Sequence, residues 1–241
     1  YKLAFRYPKK ILFQNNEDCE LFIRSRIIKQ ERSDIVPGSG IDIQRFLPGN
    51  FERKEGFTFL LISRLIKDKG IYEFIEAIRK LRDKGIMAHF RVVGAIDEKH
   101  KRGIPASHIQ SWIEEGLIDY RGKVKDVREY IRQADCILLP SYREGTPRTL
   151  LEAASMGKPI ITTDVAGCNN VVIDQYNGLL CRLKDPVDLA EKMENMIKLP
   201  ADEREKMGIN GRHHIENNFN EDIVIDKYLY LIDHIGYRVS A

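Results

Sequence analysis

The sequence predicts an α/β fold of the doubly wound, Rossmann-like kind: a parallel sheet covered by helices on both faces. Three observations carry that expectation. From residue 57 onward, short β-branched or aliphatic runs alternate with segments of helical periodicity. Several helical segments carry their own start signals. And 241 residues, 43% of them hydrophobic, suffice for one large α/β domain or two small ones with a buried core.

Along the chain, residues 11–14 read as a strand, 16–26 as a helix and 34–37 as a second strand, the last β-α-β piece of a preceding domain. The main sheet is expected from residues 57–62, 90–93, 118–120, 136–139 and 159–162, each short and mostly apolar. Ile71, Phe74, Ile75 and Ile78 recur at helical spacing, so residues 70 to 84 should lay that face on the sheet. Asp126 followed by Glu129 predicts a capping box before Tyr130 and Ile131. Asp185 then Pro186 places a cap residue and a first-turn proline before Leu189, Met193 and Ile197. After a polar run at 213–220, Ile223, Ile225, Tyr228, Leu229 and Ile232 make an amphipathic stretch that needs a surface to dock on. No internal repeat or low-complexity segment occurs.

Charge and cysteine usage narrow the classes. Thirty-nine Lys plus Arg against 36 Asp plus Glu leave a net charge of +3, without the basic excess of a nucleic-acid binder. Cys19, Cys136, Cys168 and Cys181 form no C-x-x-C pair and read as free thiols of a reducing compartment. There is no N-x-[ST] acceptor and no apolar run near the roughly 18 residues that span a bilayer, so a cytoplasmic location is expected. The chain begins at Tyr1 without an initiator Met or signal peptide and reads as an excised fragment. Its basic and aromatic opening, residues 1–10, is expected to be a solvated terminus rather than a contact for an anionic membrane or acceptor.

Several local motifs fail. Gly38-Ser39-Gly40 lacks the third glycine of a dinucleotide fingerprint, that position being Ile43. Gly157-Lys158 is followed by Pro159 and has Glu152 where a P-loop needs its first glycine. His89, His100, His108, His213, His214 and His234 show no metal-ligand spacing, and no G-x-S-x-G elbow occurs.

The chemistry concentrates in residues 141–154, directly after the strand at 136–139 and hence at the carboxyl end of a parallel strand, where open α/β sheets bind ligands. Gly145 allows close approach of the backbone to a ligand. A helix starting near Arg148 would aim the amides of Thr149 and Leu150 at it, an arrangement suited to a diphosphate. Glu144 before the helix and Glu152 about one turn inside it flank that ligand, and carboxylates accept the hydroxyl donors of a polyol. A second cluster, Ser63 to Gly70, follows the strand at 57–62, and Arg64 and Lys69 could converge on the same phosphates. Arg143 and Arg148 read equally as ligand contacts or surface charges.

Arg64 through Gly70 resembles the R-L-x-x-x-K-G signature, and Glu144 to Glu152 the E-x7-E signature, of retaining glycosyltransferase family 4, whose fold is the two-domain GT-B fold. Gly94, the Gly122 turn, Gly157-Lys158-Pro159-Ile160, Thr163-Asp164 with Gly167, and Asn177-Gly178-Leu179-Leu180 extend the similarity in order over residues 34 to 200. The resemblance implies that Arg64 and Lys69 neutralise the donor diphosphate, Glu144 lies beside the transferred sugar and Glu152 holds the ribose hydroxyls. It implies that the backbone from Gly145 through Thr146, Pro147, Arg148, Thr149 and Leu150 meets sugar and phosphate. Gly94 joins the donor-binding set, and the turn of Gly122, Lys123 and Val124 faces the base. No metal or other cofactor is implied, cationic side chains and a helix terminus supplying the electrostatic stabilisation. Pro147 stands where many relatives place a small residue and removes one amide donor.

The wording from Tyr142 to Arg148 is most similar to the bacterial branch that extends polysaccharides and lipid-linked oligosaccharides. A UDP-sugar donor and a glycan or polyprenyl-diphosphate acceptor follow as expectations, with peripheral contact at the inner membrane face. Residues 1–50 are then expected to be the remnant and linker of an N-terminal acceptor domain, 51–217 the donor domain, and 218–241 a helix packing back on the N-terminal domain. The competing readings are a non-catalytic nucleotide-binding module, which would bind nucleotide without Glu144, and a sugar-nucleotide epimerase or hydrolase, which would need no acceptor.

Overall fold

The computed structural model describes residues 4–49 and 55–235. The boundary expected between residues 50 and 51 lies outside the described residues, as do the first residues of the basic opening and the end of the C-terminal stretch. A parallel pair, β1 (Ile11–Phe13) and β2 (Ser33–Ile35), brackets α1 (Asn16–Arg24). Asn15 caps α1, its side chain accepting from the Asp18 amide. This β-α-β unit has its own apolar cluster of Ile11, Phe13, Cys19 and Ile28.

The main sheet is built from β3 (Thr58–Ile62), β4 (His89–Val93), β5 (Asp119–Tyr120), β6 (Cys136–Leu139), β7 (Ile160–Thr163) and β8 (Gly178–Cys181). Its spatial order is β5-β4-β3-β6-β7-β8, and every pairing is parallel. The helices in chain order are α2 (Ile71–Asp83), α3 (Ala106–Glu114), α4 (Arg128–Gln133), α5 (Arg148–Ser155), α6 (Cys168–Val171), α7 (Pro186–Lys198), α8 (Ala201–Asn218) and α9 (Glu221–Ile235). Alternation along β3 sends Phe59 and Leu61 to one face, with Phe74 and Ile78 of α2 and Met193 of α7. Leu60 and Ile62 go to the other, with Leu150 and Ala154 of α5 and Ile215 of α8. With both faces covered, the strands have no polar side to show, which is why they read as apolar runs.

Two expectations change. Strand β8 was not among the expected strands; its four residues begin with Gly178, too little alternation to distinguish it from a turn. The capping box before Tyr130 does not form: Val127 occupies the cap position of α4 without a side-chain bond. Asp126 accepts instead from the Arg128 amide and guanidinium, and Glu129 turns to Arg132 and Gln133. The Asp185 cap forms as expected, accepting from the amides of Val187 and Asp188 with Pro186 in the first turn.

Helix α9 ties back to the β-α-β unit. Lys227 Nζ lies 2.9 Å from Asp34 Oδ1, and Ile41 bridges the chain just before α9 through its bonds with Phe219 and Glu221. Val224 and Leu231 bury, whereas the stripe singled out from the sequence stays half to largely exposed, Ile225 at 50% and Ile232 at 55%. Among the described residues no helix is long and apolar enough to cross a membrane. All four cysteines are free and buried, and burial pushes the Cys168 and Cys181 thiols up to about 12.

Candidate functional site

The order of the main sheet places its switch point between β3 and β6: from β3 the chain winds through β4 to β5, and from β6 it winds the other way through β7 to β8. The connections leaving the carboxyl ends of β3 and β6 therefore diverge to opposite faces and open a crevice. Both sequence clusters stand there, Ser63 to Gly70 after β3 and Ser141 to Thr149 after β6.

The two clusters are locked together. The Tyr142 amide donates to the Asp68 carbonyl at 2.8 Å, and the Tyr142 hydroxyl donates to Glu73 Oε1 at 2.6 Å. Burial and this bond to Glu73 raise the Tyr142 phenol well above its ordinary value. Gly70 has a left-handed φ of 69°, and a Cβ there would stand 2.0 Å from the Pro140 carbonyl oxygen. Only glycine meets both conditions without strain. At the centre, the Lys69 ammonium pairs with Glu144 Oε1, which also accepts from the buried Ser141 hydroxyl at 2.6 Å. Side-chain exposures of 19% for Lys69 and 12% for Glu144 put this pair in a largely desolvated setting.

Glu152, one turn into α5, is as shielded as Glu144, at 12% exposure, but its partner is Arg148 on its own helix, 3.1 Å away and 60% exposed. Burial raises the Glu152 carboxyl above the ordinary carboxylate value, against the opposing pull of Arg148. Thr149 Oγ1 donates to the Ile62 carbonyl at 3.3 Å, fixing the first turn of α5 to the end of β3. The Leu150 amide does not point outward as expected: it donates to the Pro147 carbonyl at 2.9 Å. Between Gly145 and Leu150, the amides of Gly145, Thr146, Arg148 and Thr149 have no acceptor among the described residues, so the free set lies nearer the loop than expected.

The remaining expected residues lie around this centre. Arg64 is 60% exposed, its guanidinium 3.8 Å from Asp97, and does not join Lys69 and Glu144. The Gly94 amide donates to the Gly122 carbonyl at 2.8 Å, bringing the loops after β4 and β5 together. Lys123 is exposed, and Val124 packs half-buried against the core. Arg143 pairs with Asp18 of α1. Sequence reasoning placed Ser141 at the head of the informative stretch but gave it no role. It missed Asn15, whose Nδ2 donates to the Gly145 carbonyl at 3.1 Å from 130 residues away.

With this geometry in view, comparison with known proteins is specific. Among solved structures, a glycosyltransferase from Rickettsia africae superposes with a TM-score of 0.87 at 21% identity, over 98% of this chain and 67% of that one. Anabaena Alr3699/HepE in complex with UDP superposes with a TM-score of 0.82 at 19% identity, over 95% of this chain and 66% of that one. These likenesses establish the fold as that of GT-B glycosyltransferases. Among curated sequences, the N,N'-diacetylbacillosaminyl-diphospho-undecaprenol alpha-1,3-N-acetylgalactosaminyltransferase of Campylobacter jejuni is 30% identical, over 98% of this chain and 63% of that protein. The UDP-Gal:alpha-D-GlcNAc-diphosphoundecaprenol alpha-1,3-galactosyltransferase of Escherichia coli is 25% identical, over 93% of this chain and 60% of that protein. The chain thus spans under two thirds of the length of these curated relatives. The family model for glycosyl transferases group 1 matches residues 56–198, a span holding both clusters and all six strands of the main sheet, and the chain belongs to that family.

Proposed function

We propose that the chain is the donor-binding part of a retaining, metal-independent glycosyltransferase that moves a sugar from a UDP-sugar to a glycan or polyprenyl-diphosphate-linked acceptor. The observation that carries this reading is the locked trio of Lys69, Ser141 and Glu144 at the switch point, beside the outward amides of Gly145, Thr146, Arg148 and Thr149. An ammonium has three donors, so Lys69 can hold Glu144 and still meet a phosphate oxygen. As the bond between the sugar and the diphosphate breaks, negative charge grows on the departing phosphate. Lys69, Arg64 and the positive end of α5 stabilise it there in place of a divalent metal ion. Glu144, held by Lys69 and Ser141, has a free oxygen for sugar hydroxyls, and Glu152 offers the desolvated carboxylate that ribose hydroxyls satisfy.

We assign acceptor binding to the part of the longer relatives that this chain does not span, with residues 1–50 contributing the edge of that domain, 51–217 the donor domain, and 218–241 a brace between the two. The exposed stripe of α9 and the Lys227–Asp34 pair support the brace. The two curated relatives are named for undecaprenol-diphosphate substrates, which supports a peripheral cytoplasmic site at the inner membrane face.

Calorimetric titration with UDP, ADP, GDP and UDP-sugars in EDTA tests the reading. UDP binding that survives EDTA and is lost in Glu152→Ala is expected; a folded sample that binds no nucleotide overturns it.

A further inference from the structure

The loop from Arg143 to Thr146 is held by residues far away in sequence. On one side Gly167 presses against it so closely that a Cβ there would lie 2.2 Å from the Gly145 carbonyl oxygen. On the other side the β-α-β unit grips it at consecutive points. Thr146 Oγ1 donates to the Gln14 carbonyl at 3.1 Å, Asn15 Nδ2 donates to the Gly145 carbonyl at 3.1 Å, and Arg143 pairs with Asp18. A Cβ on Gly145 would lie 2.1 Å from Gln14 Oε1, so any larger residue there would have to displace the Gln14 amide.

Asn15 is the pivot of this grip. It is 2% exposed, and its amide faces two ways. Its Oδ1 accepts from the Asp18 amide at 2.7 Å, and its Nδ2 meets both the Gly145 carbonyl and Asp18 Oδ2. Flipping the amide would set donor against donor at Asp18 and acceptor against acceptor at Gly145, so the network admits one orientation. A trans peptide carries its C=O and N–H on opposite sides. By drawing the Gly145 carbonyl toward α1, Asn15 therefore turns the Thr146 N–H away from α1, and that N–H has no acceptor among the described residues.

We propose that Asn15 is a positioning residue of the donor site: it fixes the Gly145–Thr146 peptide plane so that the Thr146 amide is presented to the nucleotide sugar. The proposal rests on the donor-binding reading above. It makes the β-α-β unit part of the donor site, although none of its side chains was expected there from the sequence.

The test is amide NMR of the 15N-labelled chain during titration with UDP and UDP-galactose, in wild type, Asn15→Ser and Asn15→Asp. Serine and aspartate both keep the helix cap, and neither supplies the Nδ2 donor. Asn15→Ser is expected to shift the unfolding midpoint little, whereas Asn15→Asp, which sets a buried carboxylate against Asp18 and the Gly145 carbonyl, should lower it. Both should weaken binding roughly five- to thirtyfold, the size of one positioned hydrogen bond. The ligand-induced shift of the Thr146 amide should disappear while that of Thr149 persists, a pattern that general loosening of the fold would not give. Wild-type affinity and an unchanged Thr146 shift in both variants would overturn the proposal and leave the donor reading intact. A folded wild-type chain that binds neither ligand would overturn both together.

Discussion

Glu144 and Glu152 have the same side-chain exposure, 12%, and each is ion-paired with a basic side chain, yet they are held in different ways. Glu144 is met by Lys69 from the far side of the switch point and by Ser141 beneath it, so its charge is matched by the framework that joins β3 to β6. Glu152 is paired, among the described residues, with Arg148, four residues earlier on the same helix and mostly in solvent, with Arg45 at longer range, and burial pushes its carboxyl up. The first carboxylate is tied into the framework through one oxygen; the second leans on a neighbour of its own helix. A site that binds a polyol can use both kinds, one anchored across the sheet with an oxygen left for the ligand and one held only locally.

The largest effect should come from Lys69→Ala, which strands Glu144 in a desolvated position. It is expected to lower folding stability by about 3 kcal/mol by denaturant unfolding. In a double-mutant cycle with Glu144→Ala the coupling should exceed about 1 kcal/mol. Coupling near zero would erase the distinction between the two carboxylates. Next, Glu152→Gln should weaken UDP binding about tenfold or more, while raising the unfolding midpoint at pH 7. The sign follows from linkage: with its folded-state value raised, Glu152 binds more proton in the native than in the unfolded chain, so its contribution to stability falls as pH rises between the two values. The gain from Gln should therefore be absent well below the ordinary carboxylate value of 4.5 and full above the raised one. A midpoint that drops at every pH would show Glu152 to be structural, like Glu144. Arg148→Ala should change stability by less than about 1 kcal/mol, because its pair with Glu152 is largely screened. Smallest in stability is Arg64→Ala, with no measurable shift of the midpoint. Its signature is a shallower salt dependence of UDP affinity in calorimetry.

The sheet was legible because both of its faces are covered, so that β3 and β6 appear as apolar runs whatever the register. The α7 start was legible because Asp185 accepts from amides two and three residues on and Pro186 sets the first turn. Asp126 carries a similar signal without the result, since the adjacent Arg128 guanidinium competes for the same carboxylate. The candidate site was visible as two local clusters expected to converge on one ligand, but the bonds that lock them together were not. Asp68 with Tyr142 and Lys69 with Glu144 are brought together by the strand order, and Asn15 with Gly145 by the packing of the separate β-α-β unit, neither of which local spacing encodes. The Leu150 amide was misplaced for a smaller reason, a tightened first turn of α5 that returns it to Pro147.

The close approach of Gly70 to the Pro140 carbonyl has a consequence for how such chains can be recombined. With 2.0 Å separating that oxygen from the place of any Cβ, the segment after β3 and the segment after β6 share one clearance and cannot be exchanged separately. A chimaera that takes residues up to the middle of α3 from one relative and the remainder from another inherits the two sides of this contact from different parents. It should keep its fold only where both parents carry glycine on the first side and the same backbone path on the second. Crossovers after α5 leave the contact whole, and libraries built there should yield folded members at a higher rate.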